Sequence, residues 1–132
     1  MLKITRKVEY ALIALRHLQA NREEQLSSAK EIAETYGIPQ ELLAKILQRL
    51  AREDIIIAVK GAAGGYKLVT DPNTINMTKF FEIMEGPMGI MDCYFDSGCN
   101  QLHGCTIRTP INRINDSIRS MFNKMTLADI TY

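Results

Sequence analysis

The sequence predicts a mainly α-helical fold interrupted by a single two-stranded β-hairpin, and three observations predict it. Apolar side chains recur repeatedly at three- and four-residue intervals, the spacing of an amphipathic helix. One β-branched run, Ile55-Ile56-Ile57-Ala58-Val59, is followed by a glycine-containing loop from Lys60 to Gly65 and by a second strand-like run, Tyr66 to Val69. Ahead of that hairpin, two short helical stretches are separated by little more than Gly37 and Ile38.

Composition bounds the problem before any motif does. A chain of 132 residues, 46% hydrophobic and 23% charged, is long enough for one compact domain with its own core, which excludes disordered and collagen-like classes. Charges every few residues after Met1 leave no apolar stretch of signal-peptide length, and no run is long enough to span a bilayer. A cytoplasmic protein with no membrane partner is expected. Residues 1–70 hold eleven Lys or Arg against eight Asp or Glu, whereas residues 71–132 hold five against seven. A basic first half suits a phosphate-binding surface, although ordinary solvated faces account for so small an asymmetry equally well.

Taken in order, the first helix covers residues 5–20, with Val8, Ala11, Leu12, Leu15 and Leu18 on one face and Thr5 as its cap. Ser28 and Glu31 form a capping-box pattern that opens a second helix, which runs to about Tyr36 and stops at Gly37. Pro39 suits the first position of a third helix, because its missing N–H would be unpaired there anyway; Leu42, Leu43, Ile46, Leu47 and Leu50 point inward. Two short helices joined by a tight glycine turn, the second opening with polar Gln40 and Glu41, are the pattern of a helix-turn-helix. The hairpin that follows reads as a wing, its glycines supplying positive φ. The predicted architecture is therefore a mainly α winged helix-turn-helix with a two-stranded β wing and a long C-terminal dimerisation helix.

Beyond the break at Asp71-Pro72-Asn73, Met77, Phe80, Phe81 and Met84 give a short amphipathic helix that ends at Gly86. Thr109-Pro110 announces the last helix, as a cap followed by proline at the first position. Its apolar residues Ile111, Ile114, Ile118, Met121, Phe122 and Met125 serve either an internal core or a coiled-coil-like seam between two chains. The seam is favoured, since the preceding helices can close a core and DNA readers of this type work as symmetric dimers. Organisation follows as residues 1–72 for the winged helix-turn-helix, 73–105 for a short helix and cysteine loop, and 106–132 for the dimerisation helix and tail.

Cys93, Cys99 and Cys105, each separated from the next by five residues, lie in a stretch punctuated by Gly86, Pro87, Gly89, Gly98 and Gly104. An odd number of cysteines in an unsecreted chain argues against a disulfide framework. A lone cysteine is most often a small buried residue, but three in such a loop point to metal ligation. The interval is that of neither zinc ribbons nor ferredoxins. His103 is close enough along the chain to be a fourth ligand, whereas His17 reads as a helix-surface residue. No serine or cysteine has a plausible histidine base, and Gly61 to Gly65 lacks the lysine-serine of a phosphate loop, so an enzyme is not expected.

Over nearly its whole length the chain resembles the Rrf2 family of winged-helix regulators. The resemblance rests on Ile4-Thr5 ahead of Tyr10-Ala11, Gly37-Ile38, Leu47 to Leu50, the wing Lys60-Gly61-Ala62-Ala63-Gly64-Gly65-Tyr66, the evenly spaced cysteines and Thr126-Leu127-Ala128-Asp129. It implies a homodimer, a 2Fe-2S or 4Fe-4S iron-sulfur cluster held by Cys93, Cys99 and Cys105, and DNA affinity governed by the state of that cluster. IscR-like members of the family place a histidine three residues after the last cysteine, where this chain has Arg108, which stays protonated and cannot ligate iron. NsrR-like members use a carboxylate from the first helix of the partner subunit, and the resemblance places Glu9 there. His103, Asp92, Asp96 and a small thiol are the other candidates for that position.

The expected function is that of a dimeric transcription regulator on double-stranded DNA, at a near-palindromic operator. Gln40, Glu41 and Lys45 are expected at base edges, and Arg49, Lys60 and Lys67 at phosphates, although a solvated helix face would look the same in sequence. The rival readings are a zinc-stabilised protein-interaction module and a thiol switch without metal.

Overall fold

A computed structural model describes residues 4–21, 26–86 and 106–131. The elements run in the order α1 (Arg6–Ala20), α2 (Ala29–Tyr36), α3 (Gln40–Arg52), β1 (Ile56–Val59), β2 (Gly65–Leu68), a 3-10 turn (Pro72–Thr74), α4 (Met77–Glu85), α5 (Arg108–Lys124) and α6 (Leu127–Thr131). The fold is mainly helical with one antiparallel two-stranded sheet.

Local chemistry accounts for most of these boundaries. The Thr5 hydroxyl accepts from the Val8 N–H and the Ser28 hydroxyl from the Glu31 N–H, each satisfying a donor that a helix start leaves free. Gly37 closes α2 at φ 66°, a left-handed conformation that a side chain disfavours. Pro39 is the N-cap of α3 and Gln40 its first residue, one position from the sequence expectation. The larger departure is at α5, which begins at Arg108, with Ile107 as its cap, and carries Pro110 inside its first turn. Amides of a first turn have no intrahelical acceptor, so proline is tolerated there and need not mark the helix start.

One core holds the elements together. Val8, Ala11, Ala14, Leu15 and Leu18 of α1 meet Leu43, Ile46, Leu47 and Leu50 of α3, and Met77, Phe80 and Met84 of α4 join them. Leu12 and Leu42, expected inside, are half-buried at the edge of this core. Ile56 pairs with Leu68 at the base of the hairpin, and both are buried, whereas Ile57, Ala58 and Val59 further out are exposed. The hairpin is thus rooted in the core and projects from it.

The end of the chain returns to the beginning. Asn76 bridges Thr126, the Met77 N–H donates to the Met125 carbonyl at 2.9 Å, and the Leu127 N–H donates to the Ile75 carbonyl at 2.8 Å. Leu127 then enters the core and α6 packs against α1. Between these anchors α5 lies along α4 through the Phe81–Phe122 edge contact, with ring centroids 5.1 Å apart, and an Arg119–Glu82 ion pair at 2.9 Å.

Candidate nucleic-acid interface

The second and third helices form the helix-turn-helix, and the burial of α3 decides what it can present. Leu43, Ile46, Leu47 and Leu50 are buried on one side; Gln40, Glu41, Lys45, Gln48, Arg49 and Arg52 are exposed on the other. Glu41, Lys45 and Arg49 follow one another at intervals of four, so they form a row along one face. The structure brings Gln40, Glu41, Lys45 and Arg49 together on one helix. Arg49 faces Glu53 at 3.7 Å, a loose surface pairing that leaves the guanidinium available.

The wing carries the other two expected contacts. Lys60 follows β1 and Lys67 sits in β2 opposite Ile57; both are exposed. Gly64 and Gly65 are required by close approach more than by dihedral angle. A Cβ on Gly64 would lie 2.1 Å from the Val59 carbonyl oxygen, and one on Gly65 would lie 2.7 Å from that of Ser27. Of the glycines expected at positive φ, Gly64 is therefore there because two backbones meet.

That second meeting ties the wing to the helices. The Tyr66 N–H donates to the Ser27 carbonyl at 2.7 Å and the Ser27 N–H donates to the Tyr66 carbonyl at 3.2 Å, so Ser27 acts as a third strand of one residue beside β2. Its buried hydroxyl meets His17 Nε2 at 3.1 Å, and His17 Nδ1 meets the Tyr36 hydroxyl at 2.9 Å. The His17 and Tyr36 rings also make an edge contact at 5.5 Å. His17, expected as a plain helix-surface residue, is instead a half-buried joint between α1, the last residue of α2 and the wing. Sequence reasoning missed it; the only signal was a histidine one residue from the buried Leu18.

The expected metal ligands Cys93, Cys99 and Cys105, with His103, Asp92 and Asp96, lie outside the described residues. Among the described residues no group of three or more His, Cys, Asp or Glu could hold a metal. Glu9 is on α1, half-exposed, and pairs with Arg6 at 2.8 Å. That hydrogen bond and the carboxylate's charge raise the Arg6 pKa above its ordinary value. The Thr5 hydroxyl, next to Arg6, donates to Glu85 at 2.5 Å, which fastens the start of α1 to the end of α4, one residue before Gly86. No helix of the described residues is long and apolar enough to cross a membrane.

Comparison with known proteins agrees with this geometry. The profile of the Rrf2 family, described as an iron-dependent transcriptional regulator, matches residues 4–132. The chain is 31% identical over 132 residues to the HTH-type transcriptional regulator NsrR of Bacillus subtilis, covering 98% of this chain and 90% of the relative. The NsrR of Oceanobacillus iheyensis is 29% identical, covering 98% and 89%. Among solved structures, CymR, the global cysteine regulator of B. subtilis, superposes with a TM-score of 0.75 at 26% identity, over 99% of this chain and 97% of that one. T. potens IscR gives 0.71 at 26% identity, over 97% and 85%.

Proposed function

The chain belongs to the Rrf2 family of transcriptional regulators, and from that premise we propose that it is a homodimeric repressor or activator whose operator affinity is set by an iron-sulfur cluster on Cys93, Cys99 and Cys105. The observation that carries the reading is the exposed polar row of α3 beside a protruding wing, in a chain whose family profile is described as iron-dependent. Gln40, Glu41 and Lys45 read bases, while Arg49, Lys60 and Lys67 hold the backbone.

The donor set fits iron. Thiolates are soft donors suited to a cluster, and Glu9 supplies an oxygen from the first helix of the partner subunit. Among the described residues Glu9 is held by an exposed ion pair with Arg6, so it can turn to another cation without abandoning a buried charge. When bound, the cluster supplies a redox- and nitric-oxide-sensitive centre. The chain's own part is to link the start of α1, through Thr5 and Glu85, to the helix that leads toward the cysteines.

Dimerisation through α5 is supported by the way its apolar stripe divides. Ile111, Ile118, Phe122 and Met125 are half-buried, but Ile107, Ile114 and Met121, seven residues apart, are 53%, 48% and 52% exposed. An uncovered apolar ridge of heptad spacing is the seam of a two-helix interface.

A second reading is favoured by the likeness to CymR, since the oxidized form of Staphylococcus aureus CymR also superposes, with a TM-score of 0.67 at 25% identity over 96% of this chain and 93% of that one. In that case the cysteines are a metal-free thiol switch. Absorbance above about 350 nm on anaerobically purified protein separates the readings, because iron-sulfur clusters absorb there, whereas zinc thiolates and free thiols do not. A brown protein that bleaches when Cys93, Cys99 or Cys105 is changed to Ala is expected; a colourless one with full operator control overturns the cluster.

A further inference from the structure

Lys7 has the wrong charge for its position. It lies in the first turn of α1, where unpaired amides favour carboxylates and disfavour cations. Arg6 shares the defect but has Glu9 at 2.8 Å. Lys7 is exposed and, among the described residues, has no carboxylate partner.

Its surroundings supply a reason. Lys7 lines one open cleft of about 570 Å³ with Lys45 and Arg49 of α3 and Glu82 of α4, above the half-buried Leu42 and Ile83. Glu82 does not neutralise these cations, because Arg119 engages it at 2.9 Å. Lys45, like Lys7, has no carboxylate partner among the described residues, and Arg49 is only loosely paired. Two elements, α1 and α3, therefore deliver three positive side chains to one cleft, and its complement is an anion.

We propose that Lys7 is a phosphate-binding residue of the DNA surface: the operator backbone crosses the cleft between α1, α3 and α4, and Lys7 holds it together with Arg49, beside the base-reading Lys45. The inference rests on α3 being the reading helix. A helix in the major groove is flanked by phosphate strands, so cations that line its flank from neighbouring elements meet the backbone even though they lie outside the helix-turn-helix. The DNA surface then includes the first turn of α1, two residues before Glu9.

The test is operator binding between about 50 and 200 mM salt for the wild type, K7A, K7R, K45A and K79A, Lys79 being an exposed lysine of α4 outside the cleft lining. Loss of one phosphate contact per protomer should flatten the dependence of log K on log salt by about 0.9 per contact, nearly 2 for a two-fold dimer. K7A should show this, K7R should restore most of it, and K79A should not. Replacing single operator phosphates by uncharged methylphosphonates should reveal one position that weakens the wild type and leaves K7A unaffected. If K7A matches the wild type in affinity and slope while K45A does not, the inference falls and the reading of α3 stands. If neither variant changes binding, the reading of α3 falls with it. Competition by hexanoate that K7A abolishes, with an unchanged salt slope, would assign the cleft to an amphipathic anion and overturn the proposal.

Discussion

His17 sits where three elements meet, and what it contributes follows from which of its partners is buried. Ser27 is 3% exposed, so its hydroxyl has no water to turn to if the imidazole is removed, whereas the Tyr36 hydroxyl is at the surface. Leaving a buried hydroxyl unpaired costs about 1 to 3 kcal/mol. H17L should lose stability in that range by urea unfolding, and H17Q should lose less because an amide can still bond to Ser27. A variant as stable as the wild type would show that the joint is decorative. Glu9 gives the opposite case. Its partner Arg6 is fully at the surface, so E9A should leave unfolding unchanged; if the proposed cluster is present, any change in its visible spectrum then reports ligation. H103A should do little to that spectrum. If the two variants behave the other way round, His103 is the fourth ligand and α1 has no part in holding iron.

At the scale of an element, α5 divides its apolar stripe between two faces. One side is fixed to α4 by Phe122 and Arg119; the other presents Ile107, Ile114 and Met121 to solvent. Substitution on the second side should therefore separate association from folding. I114D with M121D is the cleaner pair, because both side chains are half-exposed in the protomer, while Ile118 is partly engaged in its own chain. Sedimentation should show monomers with unchanged helical circular dichroism and weakened operator binding. Intact dimers would move the interface elsewhere. The same division explains why periodicity could not choose between core and seam: one stripe supplies both a face packed on α4 and an exposed face, and only the position of α4 decides where it divides.

For the whole molecule, the sequence was readable where the controlling interactions are local. The Ser28 cap, the Gly37 stop, the β-branched run and Gly64 of the wing are each decided within a few residues, and together they specify the winged helix-turn-helix. The exposed row of α3 was legible for the same reason, since burial of Leu43, Ile46, Leu47 and Leu50 fixes what faces out. What was not legible depends on distant partners. His17 finds Ser27 and Tyr36 at separations of 10 and 19 residues, and Lys7 meets Lys45 only because α1 packs on α3. Thr109-Pro110 misled because the pattern that opens a helix is also tolerated elsewhere within its first turn. The cysteines are expected as ligands from their type and number alone, and they lie outside the described residues.

The return of the C-terminus to the core has a consequence for how the protein is made. Leu127 and Ala128 cover part of α1, and the Asn76–Thr126 bridge joins the middle of the chain to its end. On a ribosome those residues emerge after the other described elements, so the apolar face of α1 waits uncovered until they do. Folding of the DNA-reading unit should therefore finish only once Leu127 has left the exit tunnel. Stalled nascent chains with a linker too short to expose Leu127 should be cut readily by protease, and longer linkers should protect them; equal resistance at both lengths would show that the first helices close without their lid. Synthesis would then set the moment at which a new regulator can first occupy an operator.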